Sequence, residues 1–370
     1  MRDLCAILAR FPGERYTGNM FEPKYNLTNS IVQALTSIAE SKAVIERAKI
    51  LPQQEVRLRR QALVRMTHSS TAIEGNRLNA GEVEALMAHK KVDAPEREIH
   101  EVKNYLAALR FIEKCVVAGR PINEKALLRI HALVTAHTLP KEQSGRYRKG
   151  LVYVVKRRVG FPNEVVYTAP DARKVPQLCR NMLVWLKESA GHNINPVIVA
   201  GIVHQELAAI HPFTDGNGRT ARAFATLALY QRGYDFRRLF ALEDHYNRDR
   251  PAYYAAINIG KNYETRMVDF TPWLEYFVDG FQEEIDNVRR QVISLSQKKL
   301  SNRVDTRVFL QKEQIEILEL LDRVGRVTAQ DIMGVLKCPK RTAQLHLQKL
   351  KKLGLLGQVG KGRASAYVMK

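Results

Sequence analysis

The stretch Ile210-His211-Pro212-Phe213-Thr214-Asp215-Gly216-Asn217-Gly218-Arg219-Thr220-Ala221-Arg222 lies between two helical patterns. Upstream, Asn195 reads as an N-cap with Pro196 at the first helical position. Val197, Val199, Ala200, Val203, Leu207 and Ile210 then make a helix that is apolar nearly all round and therefore belongs in the core. Downstream, Arg219 to Gln231 read as a second helix, closed by Gly233. A histidine, an acid, two glycines and two arginines are thus confined to one loop and one helical turn of a helical fold.

The chemistry available to that loop follows from its residues. Gly216 and Gly218 free the backbone to bend and to approach a ligand closely. The helix that begins there points its unpaired N–H groups into the loop, which suits phosphates. Arg219 and Arg222 add guanidinium groups, good phosphate partners. Asp215 is a hard oxygen donor suited to Mg2+, and His211 titrates near neutrality and can serve as a general base. Together they point to nucleotidyl or phosphoryl transfer with the histidine activating a hydroxyl. Asp-Gly-Asn-Gly alone is also ordinary turn or calcium-loop chemistry; the fixed spacing to His211, Phe213, Arg219 and Arg222 is what makes the pattern specific.

Working outward toward the N-terminus, residues 145–170 change character. Leu151 to Val155 and Val165 to Tyr167 read as two strands, with Gly160 and Pro162 in the turn between them. An isolated hairpin is marginal, so it must lean on helices or on a bound peptide. Residues 99–139 carry two helical patterns divided near Gly119, and His131 on the second reads as a structural histidine. Pro52 opens a long helix that ends at Ser69-Ser70-Thr71-Ala72-Ile73-Glu74-Gly75-Asn76. Ser70 and Glu74, four apart, share one face. Asn79 and Glu82 have the spacing of a capping box. Ser30 to Ala48 forms another helix, and residues 1–25 read as a loosely structured arm.

Toward the C-terminus, Pro251 to Ile259 form a helix. Pro272 starts a long one, on which Leu274, Val278, Phe281, Ile285, Val288, Val292 and Leu295 make a heptad stripe. A homodimer seam and packing against the chain's own helices both satisfy it. A polar linker follows at 296–311. From about Lys312 three helical patterns precede a glycine-punctuated hairpin, the order of a winged helix-turn-helix. No acid occurs after Asp331, whereas Lys340, Arg341, Lys349, Lys351, Lys352, Lys361 and Arg363 do. DNA and protein assembly are the two partners such a unit serves.

Composition sets the outer bounds. The 370 residues suit two or three domains, and the 45% hydrophobic share supplies a core. No apolar run reaches the ~18 residues of a membrane span, and the N-terminus is a poor signal peptide. Four dispersed cysteines fit reduced thiols in a cytoplasmic protein. A net charge of +21 favours polyanionic partners.

His-Pro-Phe-x-Asp-Gly-Asn-Gly-Arg-x-x-Arg at His211 to Arg222 resembles the signature of the Fic domain family, mostly AMP transferases. Ser69-Ser70-Thr71-Ala72-Ile73-Glu74-Gly75 resembles that family's inhibitory-helix motif, placed N-terminal to the core as in its class II members. The 151–167 hairpin falls where the family carries a flap that holds a target segment by strand addition.

The resemblance implies a mainly α fold: an N-terminal helical region (1–95) with the inhibitory helix, a Fic-type core and long helix (96–295), a linker (296–311) and a winged-helix domain (312–370). It implies transfer of AMP from ATP to a Ser, Thr or Tyr hydroxyl of a protein, this chain included. His211 would be the base and Phe213 the anchor of the loop. Asp215 would hold Mg2+. Gly216, Asn217, Gly218 and Arg219 would bind the phosphates, Asn217 stabilising the developing charge, and Arg222 would hold the γ-phosphate. Ser70, Glu74 and Gly75 would be inhibitory, with Glu74 paired to Arg222. Two alternatives stay open: a hydrolase that removes AMP by means of Glu74, and a DNA-binding regulator in which the Fic core is secondary.

Overall fold

The computed structural model of the chain describes residues 21–156, 164–258, 260–266, 269–301, 310–360 and 365–369. Its elements run α1 (Asn29–Arg47), α2 (Pro52–Ile73), α3 (Ala80–Met87), α4 (Glu96–Val117), α5 (Glu124–Val134), β1 (Tyr153–Lys156), β2 (Glu164–Thr168), α6 (Val175–Glu188), α7 (Pro196–Ile210) and α8 (Asn217–Gln231). After a short 3-10 turn come α9 (Leu242–Arg248), α10 (Arg250–Ile257), α11 (Thr271–Ser301), α12 (Lys312–Val324), α13 (Ala329–Leu336), α14 (Lys340–Lys352), β3 (Leu356–Val359) and β4 (Ala366–Met369). The fold is mainly α, as expected.

Local signals start the helices where the sequence places them. Asn195 Oδ1 accepts the Val197 N–H at 2.9 Å, and Pro196 fills the first position of α7. Asn79 and Glu82 cap each other reciprocally at the start of α3, at 2.8 and 3.0 Å.

Helix α7 is the centre of the core because it has no polar face to turn outward. Helices α6, α8 and α11 surround it. Helix α11 crosses it closely at Gly201, where a Cβ would fall 2.8 Å from Leu274. The Trp273 indole N–H donates to the Gly201 carbonyl there, at 2.7 Å.

The heptad stripe of α11 is consumed inside the chain. Leu274, Val278, Phe281, Ile285, Val288 and Val292 are buried against the chain's own helices, chiefly α1 and α7. The homodimer reading of that stripe therefore loses its basis: its apolar surface is already covered.

Two further expectations are corrected, and one helix has no counterpart among them. Helix α11 continues to Ser301, so the first residues of the expected linker are helical; 302–309 lie outside the described residues. Of the expected loose arm, 1–20 lie outside them too, while Phe21 packs edge-on against Trp185 and Phe270, and the Phe270 N–H donates to the Lys24 carbonyl at 2.8 Å. Helix α9 was not anticipated, since Glu243-Asp244-His245-Tyr246-Asn247-Arg248 shows no apolar period.

The antiparallel β1–β2 hairpin, whose expected turn at 157–163 lies outside the described residues, leans on its surroundings. The Tyr167 hydroxyl donates to the Ala209 carbonyl at 2.9 Å, and the Thr168 N–H donates to the Lys261 carbonyl at 2.9 Å.

Helices α12, α13 and α14 and the β3–β4 hairpin share an apolar cluster of their own, including Ile317, Leu321, Ile332, Leu347 and Leu356. Val56 of α2 joins it. Among the described residues no helix is long and apolar enough to cross a membrane.

Candidate active site

The loop between α7 and α8 begins with a histidine in an unusual backbone state. His211 caps α7 with φ 50° and ψ 58°, a left-handed conformation that costs a non-glycine residue about 1 kcal/mol or more. Arg148 holds it there. This buried guanidinium donates to the carbonyls of His211 (2.8 Å), Ile210 (3.4 Å), Gly150 (2.8 Å) and Pro170 (2.6 Å). It thus satisfies carbonyls that the end of α7 leaves unpaired, places a cation at that negative end, and ties the root of the β1–β2 hairpin to it. Burial lowers the Arg148 pKa from its usual value.

The His211 ring has a defined role for each nitrogen. Nδ1 lies 2.9 Å from the Ala208 carbonyl, which can only accept, so Nδ1 carries the proton. Burial is the main effect on its pKa and lowers it. The neutral ring therefore keeps its lone pair on Nε2, the form a general base needs.

The next turn is locked by its own side chains. Phe213 is fully buried, and Asn217 bridges its backbone, Oδ1 accepting the Phe213 N–H at 2.9 Å and Nδ2 donating to its carbonyl at 2.8 Å. The Asn217 carboxamide is thus engaged in shaping the loop rather than turned wholly toward a ligand. Gly216, at φ 74°, makes the left-handed step into α8. A Cβ there would fall 2.8 Å from Thr135 Cγ2.

His131 supports the loop from below. Its ring stacks on Phe213 with centroids 3.7 Å apart. Nε2 donates to the Asp215 carbonyl at 3.0 Å, while Nδ1 accepts the Gly145 N–H at 2.9 Å. Both nitrogens are used in one neutral tautomer, and burial pulls the pKa down to about 4. The sequence marked His131 as structural; that it props up the anion loop has no signature in one sequence.

Asp215 and Arg219 lie side by side at the mouth of the loop. Asp215 Oδ2 is 3.2 Å from Arg97 Nη2, and its Oδ1 is 3.6 Å from Arg219 Nη2. Arg219 is buried, with Nη1 3.5 Å from Glu101 and with both Nε and Nη1 lacking a hydrogen-bond acceptor. A buried arginine with unused donors beside a helix N-terminus is prepared for an anion.

Arg222, one turn on, is occupied. Its Nε donates to Ser70 Oγ at 2.9 Å, and Nη2 donates to the Ser70 carbonyl at 2.8 Å and to Glu74 Oε1 at 2.7 Å. Burial works against its charge, but Glu74, with Tyr253 and Tyr105 nearby, outweighs this and the net pKa shift is upward. Glu74 ends α2, and Gly75 follows with φ 96°. Tyr254 fixes this terminus by donating to the Ile73 carbonyl at 3.0 Å. A Cβ built on Gly218 would fall 2.2 Å from Glu74 Oε1, so that carboxylate overhangs the first turn of α8.

The structure thus gathers His211, Asp215, Gly216, Asn217, Gly218, Arg219 and Arg222 around one turn, with Ser70 and Glu74 facing it. Arg97, His131 and Arg148, which the sequence did not single out as site residues, complete it.

The model of the Fic/DOC family matches residues 121–229, which contain this loop and both flanking helices. Over that span the chain is similar to the Fic/DOC family. Over 225 residues it is 29% identical to protein adenylyltransferase fic-1 of Caenorhabditis elegans, a match covering 60% of this chain and 40% of the worm protein. Protein adenylyltransferase Fic of Drosophila melanogaster is 28% identical over 203 residues, 54% of this chain and 37% of the fly protein. The chain therefore spans about two fifths of the length of these relatives. A Fic family protein from Desulfovibrio desulfuricans G20 shares the fold at a TM-score of 0.61 and 25% identity, covering 95% of this chain and 98% of that one.

Proposed function

We propose that this chain is a protein adenylyltransferase that moves AMP from ATP onto a Ser, Thr or Tyr hydroxyl of a protein, and that Glu74 holds it in check. One observation carries the reading: Glu74 occupies Arg222 directly above the anion-binding turn, 2.7 Å from the guanidinium.

The step needs one base, one anion site and one displaced group. The target hydroxyl loses its proton to His211 Nε2, its oxygen bonds to the α-phosphorus, and the bond to the β-phosphate breaks to release pyrophosphate. The N–H groups at the start of α8 and the unused Arg219 donors stabilise charge on the transferred phosphate. Arg222 serves the γ-phosphate once Glu74 leaves it.

The donor set at the turn suits Mg2+: one carboxylate, Asp215, stands beside the helix N–H groups that would take phosphate, and Mg2+ is commonly held by one or two carboxylates plus substrate phosphates. Asp215, which Arg97 and Arg219 flank, is the carboxylate that would hold it, and the ion would neutralise phosphate charge there.

The hairpin supplies an edge for the target. Among the described residues β1 pairs only with β2, and Tyr153 and Val155 are exposed along it. A target segment added as a further strand would be held by backbone hydrogen bonds. Arg148 ties the root of that hairpin to His211, so the target and the base are located by one residue.

A second reading uses the same carboxylate for AMP removal. Glu74 overhangs the phosphate turn, where it could orient a water onto the phosphorus of a modified protein. Incubation with labelled ATP and Mg2+ tests transfer, through label on Ser, Thr or Tyr of protein. Incubation with an AMP-modified target tests removal, through free AMP that is lost in Glu74→Gly.

A further inference from the structure

Helix α2 carries the C-terminal unit at one end and Glu74 at the other. Near its start, Val56 is buried in the apolar cluster of α12, α13, α14 and the β3–β4 hairpin. Arg59 Nη1 lies 2.5 Å from Glu319 Oε1, and Arg60 Nη1 lies 3.1 Å from Asp322 Oδ1. At its far end Ser70 and Glu74 hold Arg222. The helix is unbroken between them, fourteen residues from Val56 to Ser70, or about 21 Å.

Charge is segregated within the C-terminal unit. The acids Glu319 and Asp322 on α12 meet the arginines of α2. Beyond Asp331 there is no acid at all. Helix α14 buries Ala343, Leu347 and Leu350 and exposes Arg341, Gln344, Leu345, Gln348 and Lys352. These positions share one helix face. Lys340 at the start of this helix and Lys337 just before it are also exposed. Cations that meet phosphates and glutamines that read base edges are the residues a helix uses in a major groove.

We infer that the C-terminal unit binds duplex nucleic acid through this face of α14 and that, because it is seated on α2, such binding loosens the Glu74–Arg222 contact. The inference rests on Glu74 being inhibitory. A ligand shifts an equilibrium only by binding one state better than the other. While the unit is docked, Arg59 is shared by Glu319 and Glu55, and Arg60 by Asp322 and Glu84. When it lifts, each arginine loses one of its two carboxylates, so a polyanion on the unit meets less negative charge opposing it and is favoured in the lifted state. Lifting also uncovers Val56 and removes two of the ion pairs that hold α2, leaving its anchors through Arg65 to Asp244 and Glu284. Packed helices shift by 1–2 Å in such transitions, enough to break a 2.7 Å ion pair at the other end of the same helix.

The test uses the full chain and a labelled 20-base-pair duplex of random sequence. Anisotropy should show binding that weakens roughly a thousandfold between 50 and 200 mM salt, as about six neutralised phosphates require, and that is lost in Lys340→Glu/Arg341→Glu. AMP incorporation from labelled ATP should rise at least about fivefold when the duplex is added to wild type, a coupling within the usual allosteric range. It should be unchanged by duplex in Glu74→Gly, and raised without duplex in Glu319→Lys/Asp322→Lys. Failure to bind duplex, or salt-insensitive binding, overturns the nucleic-acid assignment in favour of a protein partner. Duplex binding with unaltered wild-type transfer, while Glu74→Gly exceeds wild type, overturns the coupling alone. A Glu74→Gly variant no more active than wild type overturns the inhibitory reading and the coupling with it.

Discussion

Glu74 Oε1 lies 2.7 Å from Arg222 Nη2, although the two residues are 148 positions apart in sequence. The pair joins the end of α2 to the first turns of α8, where Ser70 takes the Arg222 Nε–H and shares Nη2 with Glu74. ATP and Glu74 therefore compete for one guanidinium.

Ser70 tests that competition without removing charge. Ser70→Ala deletes the acceptor of the Arg222 Nε–H but leaves Glu74 and the Ser70 carbonyl in place. A neutral hydrogen bond contributes about 1 kcal/mol net. Transfer of AMP should rise a few-fold, clearly less than in Glu74→Gly, when both are assayed side by side with labelled ATP.

The pH dependence of transfer reports on His211. Its pKa lies below the ordinary 6.5 because of burial. The neutral, proton-accepting form thus persists below the pH at which a free histidine would be half protonated. In a Glu74→Gly background the rate should stay level from pH 8 down through 6.5 and decline only at lower pH. An acid limb centred at or above 6.5 would contradict the assignment of His211 as a desolvated base.

His131 links the loop to stability. Its folded pKa, about 4, lies below that of the unfolded chain, about 6.5. Its contribution is therefore fully present above pH 6.5 and is lost as pH falls toward 4, on the order of 3 kcal/mol across that window. His131→Phe keeps a ring against Phe213 but leaves the Asp215 carbonyl and the Gly145 N–H unpaired. It should lower stability by about 2–5 kcal/mol and weaken ATP binding, read by denaturant midpoint and by calorimetry.

Arg148 should matter for turnover more than for nucleotide affinity. Arg148→Met removes four donated bonds, two of them to carbonyls at the end of α7, and frees the left-handed backbone of His211. A loss of about 3–5 kcal/mol in stability is expected, as for breaking a buried charged network. At temperatures where the variant stays folded, kcat for transfer should fall by more than KM for ATP rises. An equal or larger change in KM would place the role of Arg148 in nucleotide binding instead.

The parts of this site legible in the sequence are those with a local cause. Asn195-Pro196 announces α7, the glycines announce the turn, and the Ser70–Glu74 spacing announces a shared face. Arg148 was not legible because its acceptors are backbone carbonyls from three separate segments, and carbonyls have no residue identity. Helix α9 was missed because its short polar sequence lacks a period, yet its Asp244 anchors α2 through Arg65 at 3.0 Å. The α11 stripe was legible as apolar but not as to its partner, since a heptad pattern fits the chain's own α1 and α7 as well as a second chain.

The measurement closest to the central claim compares wild type and Glu74→Gly in labelled ATP and Mg2+, with mass spectrometry locating AMP on Ser, Thr or Tyr and His211→Ala/Glu74→Gly as the blank. Removing a charged contact of about 1.5–3 kcal/mol from Arg222 corresponds to a gain of about 10- to 100-fold. The account predicts a gain of that size in Glu74→Gly and no incorporation once His211 is also replaced. Equal incorporation by wild type and Glu74→Gly would contradict it.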